Sequence, residues 1–289
     1  MPKCFNGKDI YQKQLDQRLT VPCGKCGACK RKVQMQWASR IMQETATHST
    51  KGHCEFITLT YRPEDVPLTE DNVPTLRKAD VQSWFNVQRN TLGPFRFYAC
   101  GEYGEMLGRP HVHMALFCTD PTYAERFANA WSEKYGFSQR LQLIPERCAY
   151  LAKYTVKGMH KPESSKLKPG QEPEFRISSR RPALGSDYSE LIADAYRTTK
   201  GQRLLAKKGD VDRTFHTLGG FFPLSTYTLT KIRQQLEIPV KHTDRCKSNQ
   251  NYSTQFPIQE AEICPTTHIA QERNLNAQAR RRKNQRRSL

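Results

Sequence analysis

The sequence predicts a mixed α+β fold in which an antiparallel sheet is packed with helices. Short runs rich in β-branched and aromatic residues alternate with longer runs of helical period, in the order β-α-β-β-α-β-α over residues 52–158. A chain of 289 residues is long enough for one large domain or two modest ones. The β-α-β-β-α-β part matches the split β-α-β, ferredoxin-like pattern, in which helices cover one sheet face and the other face stays open.

Each element has its own signal in the sequence. Hydrophobic residues recur at helical spacing in some segments and alternate in others, with proline and glycine at the borders. The predicted elements are a helix over 30–47, a strand over 55–61, a helix over 77–91, strands over 95–101 and 110–117, a helix over 121–135 with Pro121 in its first turn, a strand over 137–144, a helix from Pro145 to Lys157 ended by Gly158, and helices over 186–199 and 224–236.

Composition shifts along the chain predict five regions. They are a Cys-rich N-terminal segment and helix (1–50), a central α+β core (51–160), a Pro/Ser/Lys-rich linker or loop (161–185), a small helical C-terminal unit (186–240) and a basic, partly disordered tail (241–289).

The chain is strongly basic, with a formal net charge of +18 and a pI near 9.6. The tail contributes through a run of four residues, Arg280, Arg281, Arg282 and Lys283, but the remainder of the chain is also basic. Excess positive charge of this kind favours a phosphate-bearing partner, and nucleic acid fits best. A membrane surface is the weaker interpretation because no convincing basic amphipathic helix is present.

Hydropathy bears on where the protein acts. No window approaches the 18 or more apolar residues that a membrane span needs, so a spanning protein is excluded. The first residues are polar and lack the apolar segment of a signal peptide. We therefore expect a protein without a membrane partner that stays in the cytoplasm where it is made.

Three cysteines are clustered as VPCGKCGACK, at Cys23, Cys26 and Cys29, with Cys4 upstream. Thiolates spaced C-x-x-C, with glycine between them, can close on one tetrahedral Zn²⁺. Cys4 is the natural fourth ligand of such a structural zinc site. A redox pair or unbound thiols remain alternatives, whereas a disulfide framework is disfavoured without a secretory signal.

His111 and His113 flank Val112 within a predicted strand, so both imidazoles lie on one face of the sheet. A turn through Gly104 and Gly108 would make this strand and the preceding one antiparallel neighbours and set Glu102 beside the histidines, whereas Glu105 falls in the loop. Two histidines and one acid leave coordination positions open, as a catalytic metal needs. With a phosphate substrate supplying further oxygens, Mg²⁺ or Mn²⁺ is the expected ion.

The helix after the last of these strands contains a tandem Tyr-x-x-Lys pattern. Tyr150, Lys153, Tyr154 and Lys157 fall on one helical face. Phenols beside ammonium groups can act as nucleophiles on phosphate, because the positive charge favours phenolate and holds phosphate oxygens. The alternative is a pair of half-buried structural tyrosines.

Taken together, FITLTY, GEYG…GRPHVHMALF and YLAKYTVK resemble the three ordered motifs of HUH endonucleases, which initiate rolling-circle replication. With VPCGKCGACK in front and FRISSRRPALG behind, the chain is similar to the replication initiation proteins of gokushovirus-type microviruses over about residues 20–185. The resemblance implies a ferredoxin/RRM-like HUH core in which His111, His113 and a nearby acid, for which we choose Glu102, hold the metal.

The resemblance also implies a reaction and its partners. Tyr150 and Tyr154 would alternate as nucleophiles in nicking and rejoining single-stranded DNA at the phage replication origin, through a 5′-phosphotyrosine intermediate. Lys153 and Lys157 would stabilise phosphate charge, while Arg109 and the tail arginines would grip the DNA backbone. A host helicase and polymerase in the bacterial cytoplasm would then extend the freed 3′ end.

Three other functions are weighed against this one. A zinc amidohydrolase would need a (β/α)₈ barrel, for which the chain has too few βα units. A relaxase or transposase relative fits less well, because the tyrosines are paired and no third histidine is near. A non-catalytic zinc-knuckle protein that binds or packages single-stranded DNA explains the charge and the cysteines, but leaves the paired histidines and tyrosines unexplained.

Overall fold

The computed structural model of the protein describes residues 4–13, 16–104, 107–157, 167–217 and 220–238. The strands are β1 (Lys8–Gln12), β2 (Gln17–Val21), β3 (His53–Tyr61), β4 (Arg96–Tyr103), β5 (Pro110–Cys118), β6 (Gly136–Gln142), β7 (Phe175–Ser178), β8 (Thr214–Thr217) and β9 (Gly220–Pro223). The helices are α1 (Gly27–Lys51), α2 (Lys78–Leu92), α3 (Tyr123–Lys134), α4 (Pro145–Lys157), α5 (Ser186–Arg197), α6 (Thr199–Lys208) and α7 (Thr226–Gln235).

The chain divides into two compact units. The first comprises residues 1–33 and 239–289, and its described part contains the β1–β2 hairpin and the beginning of α1. The second comprises residues 34–238 and contains the large sheet. Within the described ranges, no helix combines the length and the apolar character that crossing a bilayer demands.

The second unit is organised around a five-stranded antiparallel sheet of order β6-β3-β5-β4-β7. This confirms the mixed α+β class. β5 lies between β3 and β4, as a split β-α-β unit requires, because α2 carries the chain from β3 past β5 to β4. The short β7 was not predicted: it pairs with β4 from within the segment 161–185, which we expected to be a linker.

Helices cover both faces of the sheet, which corrects the expectation of one open face. On one face, Val112, Met114 and Leu116 of β5 pack in a core with α2 and α3, as their alternation predicts. On the other face, Tyr98 and Phe117 share a second core with α1, α4, α5 and α7. Aromatic side chains in both cores exclude water from the parts of the two faces that they cover.

Most predicted elements are confirmed within a few residues. The helix expected from Pro121 begins instead at Tyr123, after Thr122. The helix expected over 186–199 ends at Arg197, because the extended Thr198 caps a separate α6 by accepting a hydrogen bond from the Gly201 amide. The hairpins β1–β2 and β8–β9 were not predicted. The stop at Gly158 and the tail 241–289 lie outside the described residues.

A buried ion pair joins α1 to β4 and to the loop before α5. The Glu44 carboxylate is fully buried and accepts hydrogen bonds from the Arg96 guanidinium and, at 2.7 Å, from the Gly185 amide. Arg96 also donates to the carbonyl oxygens of Pro182 and Ala183. A buried charge pair with all its hydrogen bonds made is costly to break from one side only.

We predict that Glu44→Gln lowers the free energy of unfolding by about 3 kcal/mol or more, because Arg96 loses its counter-charge in a buried site. Urea unfolding followed by circular dichroism measures this free energy. Glu190→Gln on the exposed face of α5 is the matched control and should change stability by less than about 0.5 kcal/mol. Equal effects of the two substitutions would contradict the structural role of Glu44.

Candidate active site

The pairing of three strands assembles the predicted metal ligands. In the antiparallel register of β4 with β5, Glu102 lies directly opposite His111. In the register of β3 with β5, Thr58 lies opposite His113. Residues opposite one another share a sheet face, so all four side chains meet on the face that also carries α4. Glu105, the competing acid, lies outside the described residues.

Glu102, His111 and His113, here called the His–Glu triad, converge on one point. The Glu102 Oε1 lies 2.8 Å from His111 Nε2 and 3.0 Å from His113 Nε2, and the two Nε2 atoms are 3.1 Å apart. Two imidazole nitrogens and one carboxylate oxygen form half of an octahedral coordination shell and leave positions open for substrate oxygens.

Neighbouring groups fix how the imidazole rings face the triad. His111 Nδ1 lies 3.0 Å from the carbonyl oxygen of Arg109, which can only accept, so this nitrogen carries a proton. His113 Nδ1 shares a 2.9 Å hydrogen bond with the Thr58 hydroxyl. These contacts on the Nδ1 side turn both Nε2 atoms towards the Glu102 carboxylate, where a shared proton or a metal cation stabilises the cluster.

Helix α4 brings both predicted tyrosines to the triad. The Tyr150 hydroxyl lies 3.1 Å from Glu102 Oε1 and 3.3 Å from His113 Nε2. The Tyr154 hydroxyl, one helical turn further on, donates a 2.7 Å hydrogen bond to the Tyr150 hydroxyl. The alternative of structural tyrosines with hydroxyls at the surface therefore does not describe their positions, because both phenols point towards the histidines.

Core packing holds α4 against the sheet. Cys148, Leu151 and Ala152 are buried in the core that contains Tyr98. The Tyr98 hydroxyl is hydrogen-bonded to the hydroxyl of Thr155, next to the second nucleophile candidate. These contacts fix the rotation of the helix, and with it the face that carries the tyrosines.

Burial and hydrogen bonding shift the ionisation of the triad in opposite directions. Burial by itself raises the pKa of Glu102, but hydrogen bonds to His111, His113 and Tyr154 outweigh it and hold that pKa well below its usual range. Burial lowers the pKa of His113, which the Glu102 carboxylate only partly offsets. An ionised carboxylate beside a neutral imidazole is the protonation state that metal binding requires.

The tyrosines are protonated in the absence of a metal. Burial raises the pKa of both phenols, and the Glu102 charge raises them further, above the ordinary range. Lys153 places its Nζ 6.0 Å from the Tyr150 ring centroid and 5.8 Å from that of Tyr154. With both pKa values raised, formation of either phenolate needs positive charge close to its hydroxyl.

The other predicted contacts to DNA differ in how they are placed. Arg109 donates to the carbonyl oxygen of Tyr61 and lies over the Phe137 ring. Part of its guanidinium group is therefore already bound within the protein. The side chain of Lys157 and the residues Arg280, Arg281, Arg282 and Lys283 lie outside what the structure describes. Two groups that orient the histidines, the Thr58 hydroxyl and the Arg109 carbonyl, were not predicted from the sequence. Thr58 could have been found from its position in FITLTY, on the strand that pairs with the histidine strand.

The four cysteines of the first unit form a second cluster of metal-binding groups. All four Sγ atoms lie within 4.8 Å of one another, with Cys23 and Cys29 at 3.9 Å and Cys4 and Cys26 at 3.8 Å. Tetrahedral coordination with Zn–S bonds of about 2.3 Å places sulfurs about 3.8 Å apart. The spacing therefore fits a Cys₄ zinc site.

Backbone amides and burial tune these thiols unequally. The amides of Cys26 and Lys25 donate hydrogen bonds to Cys23 Sγ and lower the pKa of that thiol to about 6. Burial raises the pKa of Cys29 to about 12. The Cys23 amide also donates to Cys4 Sγ at 3.2 Å. Amide donors around a sulfur cluster stabilise thiolate charge, as a bound cation would.

Comparison with known proteins points to one process. Residues 54–159 match the family model described as Replication-associated protein ORF2/G2P. The Replication-associated protein ORF2 of Spiroplasma virus 4 is 27% identical over 162 residues, which cover 48% of this chain and 48% of that protein. The chain thus spans about half the length of this curated relative. No solved structure matches this chain. The matched range 54–159 contains the whole His–Glu triad and both tyrosines.

We predict that Glu102→Gln weakens binding of Mn²⁺ at least about tenfold, because the only charged ligand of the triad becomes a neutral amide. Titration followed by the electron paramagnetic resonance of free Mn²⁺ measures this. Glu133→Gln, an exposed acid on α3, is the control and should bind Mn²⁺ as the unmodified chain does. Unchanged affinity in Glu102→Gln would exclude this carboxylate as a ligand.

Proposed function

We propose that this chain is the replication initiator of a single-stranded DNA phage, an HUH endonuclease of the gokushovirus-type microviruses that nicks and rejoins the replication origin. The observation that carries the proposal is the Tyr150 hydroxyl, within hydrogen-bonding distance of two members of the His–Glu triad and of the Tyr154 hydroxyl. Similarity to replication-associated proteins over residues 54–159 supports the biological process.

The His–Glu triad would hold Mg²⁺ or Mn²⁺, since it offers the nitrogen and oxygen donors that these ions accept. When bound, the ion supplies Lewis-acid polarisation of the scissile phosphate and positive charge beside the phenols. Glu102 and the two histidines would hold the ion next to Tyr150, while Lys153 would add a further positive charge beside the phenols.

The bond changes balance without an external energy source. The Tyr150 oxygen forms a bond to phosphorus, the bond from phosphorus to the 3′ oxygen breaks, and the phenolic proton ends on the released 3′ hydroxyl. One phosphodiester is exchanged for another, so the 5′-phosphotyrosine retains the energy needed for rejoining. Tyr154, whose hydroxyl lies 2.7 Å from that of Tyr150, would attack a second phosphate while the first end is still attached.

Partners and location follow from this role. The substrate is single-stranded DNA at the phage origin, gripped by Arg109 and the basic tail residues through phosphate contacts. The freed 3′ hydroxyl would be extended by a host polymerase, with a host helicase separating the strands, in the cytoplasm of the bacterial host.

The Cys4–Cys23–Cys26–Cys29 cluster would bind a structural Zn²⁺ in the same chain. Its donors are four sulfurs, which suit Zn²⁺ and not Mg²⁺ or Mn²⁺, whereas the His–Glu triad offers nitrogen and oxygen donors and leaves positions open for phosphate oxygens. The two sites therefore need not compete for one metal.

We predict that Tyr150→Phe combined with Tyr154→Phe lowers nicking of single-stranded origin DNA by roughly 10³-fold or more, because no phenol remains to attack phosphorus. Denaturing gels with 5′- and 3′-labelled DNA and Mn²⁺ measure nicking and attachment of protein to the 5′ end. Tyr135→Phe, on the other face of the sheet, is the matched control.

The outcomes of this experiment separate the candidate functions. Persistent nicking in the double variant would overturn the tyrosine mechanism. DNA binding without cleavage by the unmodified chain, on a substrate that contains the cognate origin, would instead favour a non-catalytic zinc-knuckle protein that binds or packages single-stranded DNA.

We predict one Zn²⁺ per chain in protein purified without chelators, counted by plasma mass spectrometry. Cys23→Ser with Cys26→Ser should reduce it below about 0.1 per chain, because two ligands cannot hold Zn²⁺ tightly. Cys54→Ser, a cysteine of the second unit, is the control. A chain that carries no Zn²⁺ and resists alkylation at two of the four thiols would show a redox pair instead.

A further inference from the structure

A second feature on the same sheet face is a cationic groove beside β7. It has a volume of about 450 Å³. Arg176 and Arg180 line it from β7 and the segment that follows, Trp37 and Arg40 from α1, and Tyr227 from α7. Arg176, Arg180 and the neighbouring serines belong to FRISSRRPALG, a motif for which the catalytic chemistry provides no role.

Guanidinium groups and aromatic rings are stacked in this groove. The Arg40 Cζ lies 4.4 Å from the ring centroid of Trp37 and 4.5 Å from that of Tyr227. The Arg176 Cζ lies 4.6 Å from the same indole. Arg40 is held in place by a 3.0 Å hydrogen bond from its Nε to the carbonyl oxygen of Leu184. Planar cations alternating with aromatic rings form a platform on which a nucleobase can stack.

Among the described residues, no carboxylate is paired with the arginines of the groove. Throughout the described ranges, Arg40, Arg176 and Arg180 form no ion pair with a carboxylate. Glu44, one turn along α1 from Arg40, is already bound by Arg96. Three like charges converging on one concave surface create a positive potential that an anionic ligand would relieve.

Strand register places the groove close to the His–Glu triad. Arg176 lies opposite Cys100 on β4, and Glu102 follows two residues later on the same strand and face. With a rise of about 3.3 Å per residue and strands about 4.8 Å apart, the Cα atoms of Arg176 and Glu102 are separated by about 8 Å. Tyr98 connects the two places, since it packs 5.3 Å from Trp37 and is hydrogen-bonded to Thr155 of α4.

We propose that this groove binds the single-stranded DNA that flanks the scissile phosphate, with Arg176 and Arg180 on backbone phosphates and a base stacked at Tyr227. The inference rests on the proposed nickase function and specifies where its substrate lies. Both arginines are solvent-exposed and Tyr227 is partly exposed, so a strand can reach them without unfolding the protein. Stacking on rings and planar cations suits unpaired bases, whose faces duplex DNA keeps covered.

The test is fluorescence anisotropy with the full chain, a 5′-labelled 20-nucleotide thymidine oligomer and a 20-base-pair duplex, without added Mg²⁺, Mn²⁺ or chelator. Arg176→Gln with Arg180→Gln should weaken single-strand binding about tenfold and reduce the slope of log affinity against log salt by about 1.4, because two phosphate contacts are lost. Arg203→Gln with Lys207→Gln removes two exposed charges from α6 and should change affinity by less than about twofold.

Tyr227 provides an independent measure of stacking. Tyr227→Ala should weaken single-strand binding about fivefold or more with an unchanged salt slope, whereas Tyr227→Phe keeps the ring and should bind as the unmodified chain does. Circular dichroism and urea unfolding of each variant confirm that it is folded before its affinity is compared.

Several results would overturn the inference. They are an unchanged affinity in the Arg176→Gln, Arg180→Gln variant, an equal loss of duplex affinity, or displacement of the oligomer by inorganic phosphate at an equal phosphate concentration. None of these measurements needs cleavage. Persistent nicking by the Tyr150→Phe, Tyr154→Phe variant, whose groove is intact, would overturn the proposed function. Normal nicking together with unchanged single-strand affinity in the groove variants would overturn only the role of the groove.

Discussion

Antiparallel pairing of β4 with β5 sets Glu102 opposite His111, and the rest of the site is arranged around that pair. A shift of one residue in this register would turn Glu102 to the opposite face, where the core with α2 and α3 lies. The buried alternation of β5 prevents such a shift, since Val112 and Met114 cannot move to the face of the histidines without exposing that core. Hydrophobic packing therefore fixes the ligand geometry.

The position of α4 depends on the same sheet in a different way. The helix has no strand pairing to hold it, so its rotation is set by the apolar side chains that it buries and by the Tyr98–Thr155 hydrogen bond. That rotation turns Tyr150 and Tyr154 towards the His–Glu triad. Burial raises the pKa of both phenols, and a cation at the triad would lower it again because its charge favours phenolate.

Three chemically distinct sets of binding groups lie in different parts of the chain. Soft sulfur donors gather in the first unit, nitrogen and oxygen donors at the sheet end, and guanidinium groups beside β7. Each set favours a different ligand: Zn²⁺, a hard divalent cation, and phosphate. Part of the net charge of +18 thus lies on one specific surface near the triad.

The sequence by itself determined the mixed α+β class, the order of the main elements, and the residues of both clusters of potential metal ligands, because periodicity and ligand spacing are local properties of the chain. Tertiary structure alone decided that both sheet faces are covered, that β7 joins the sheet, and that Arg176 meets Trp37 and Arg40. These features depend on contacts between residues far apart in the chain, and a four-residue strand such as β7 has too little local signal to reveal its partner.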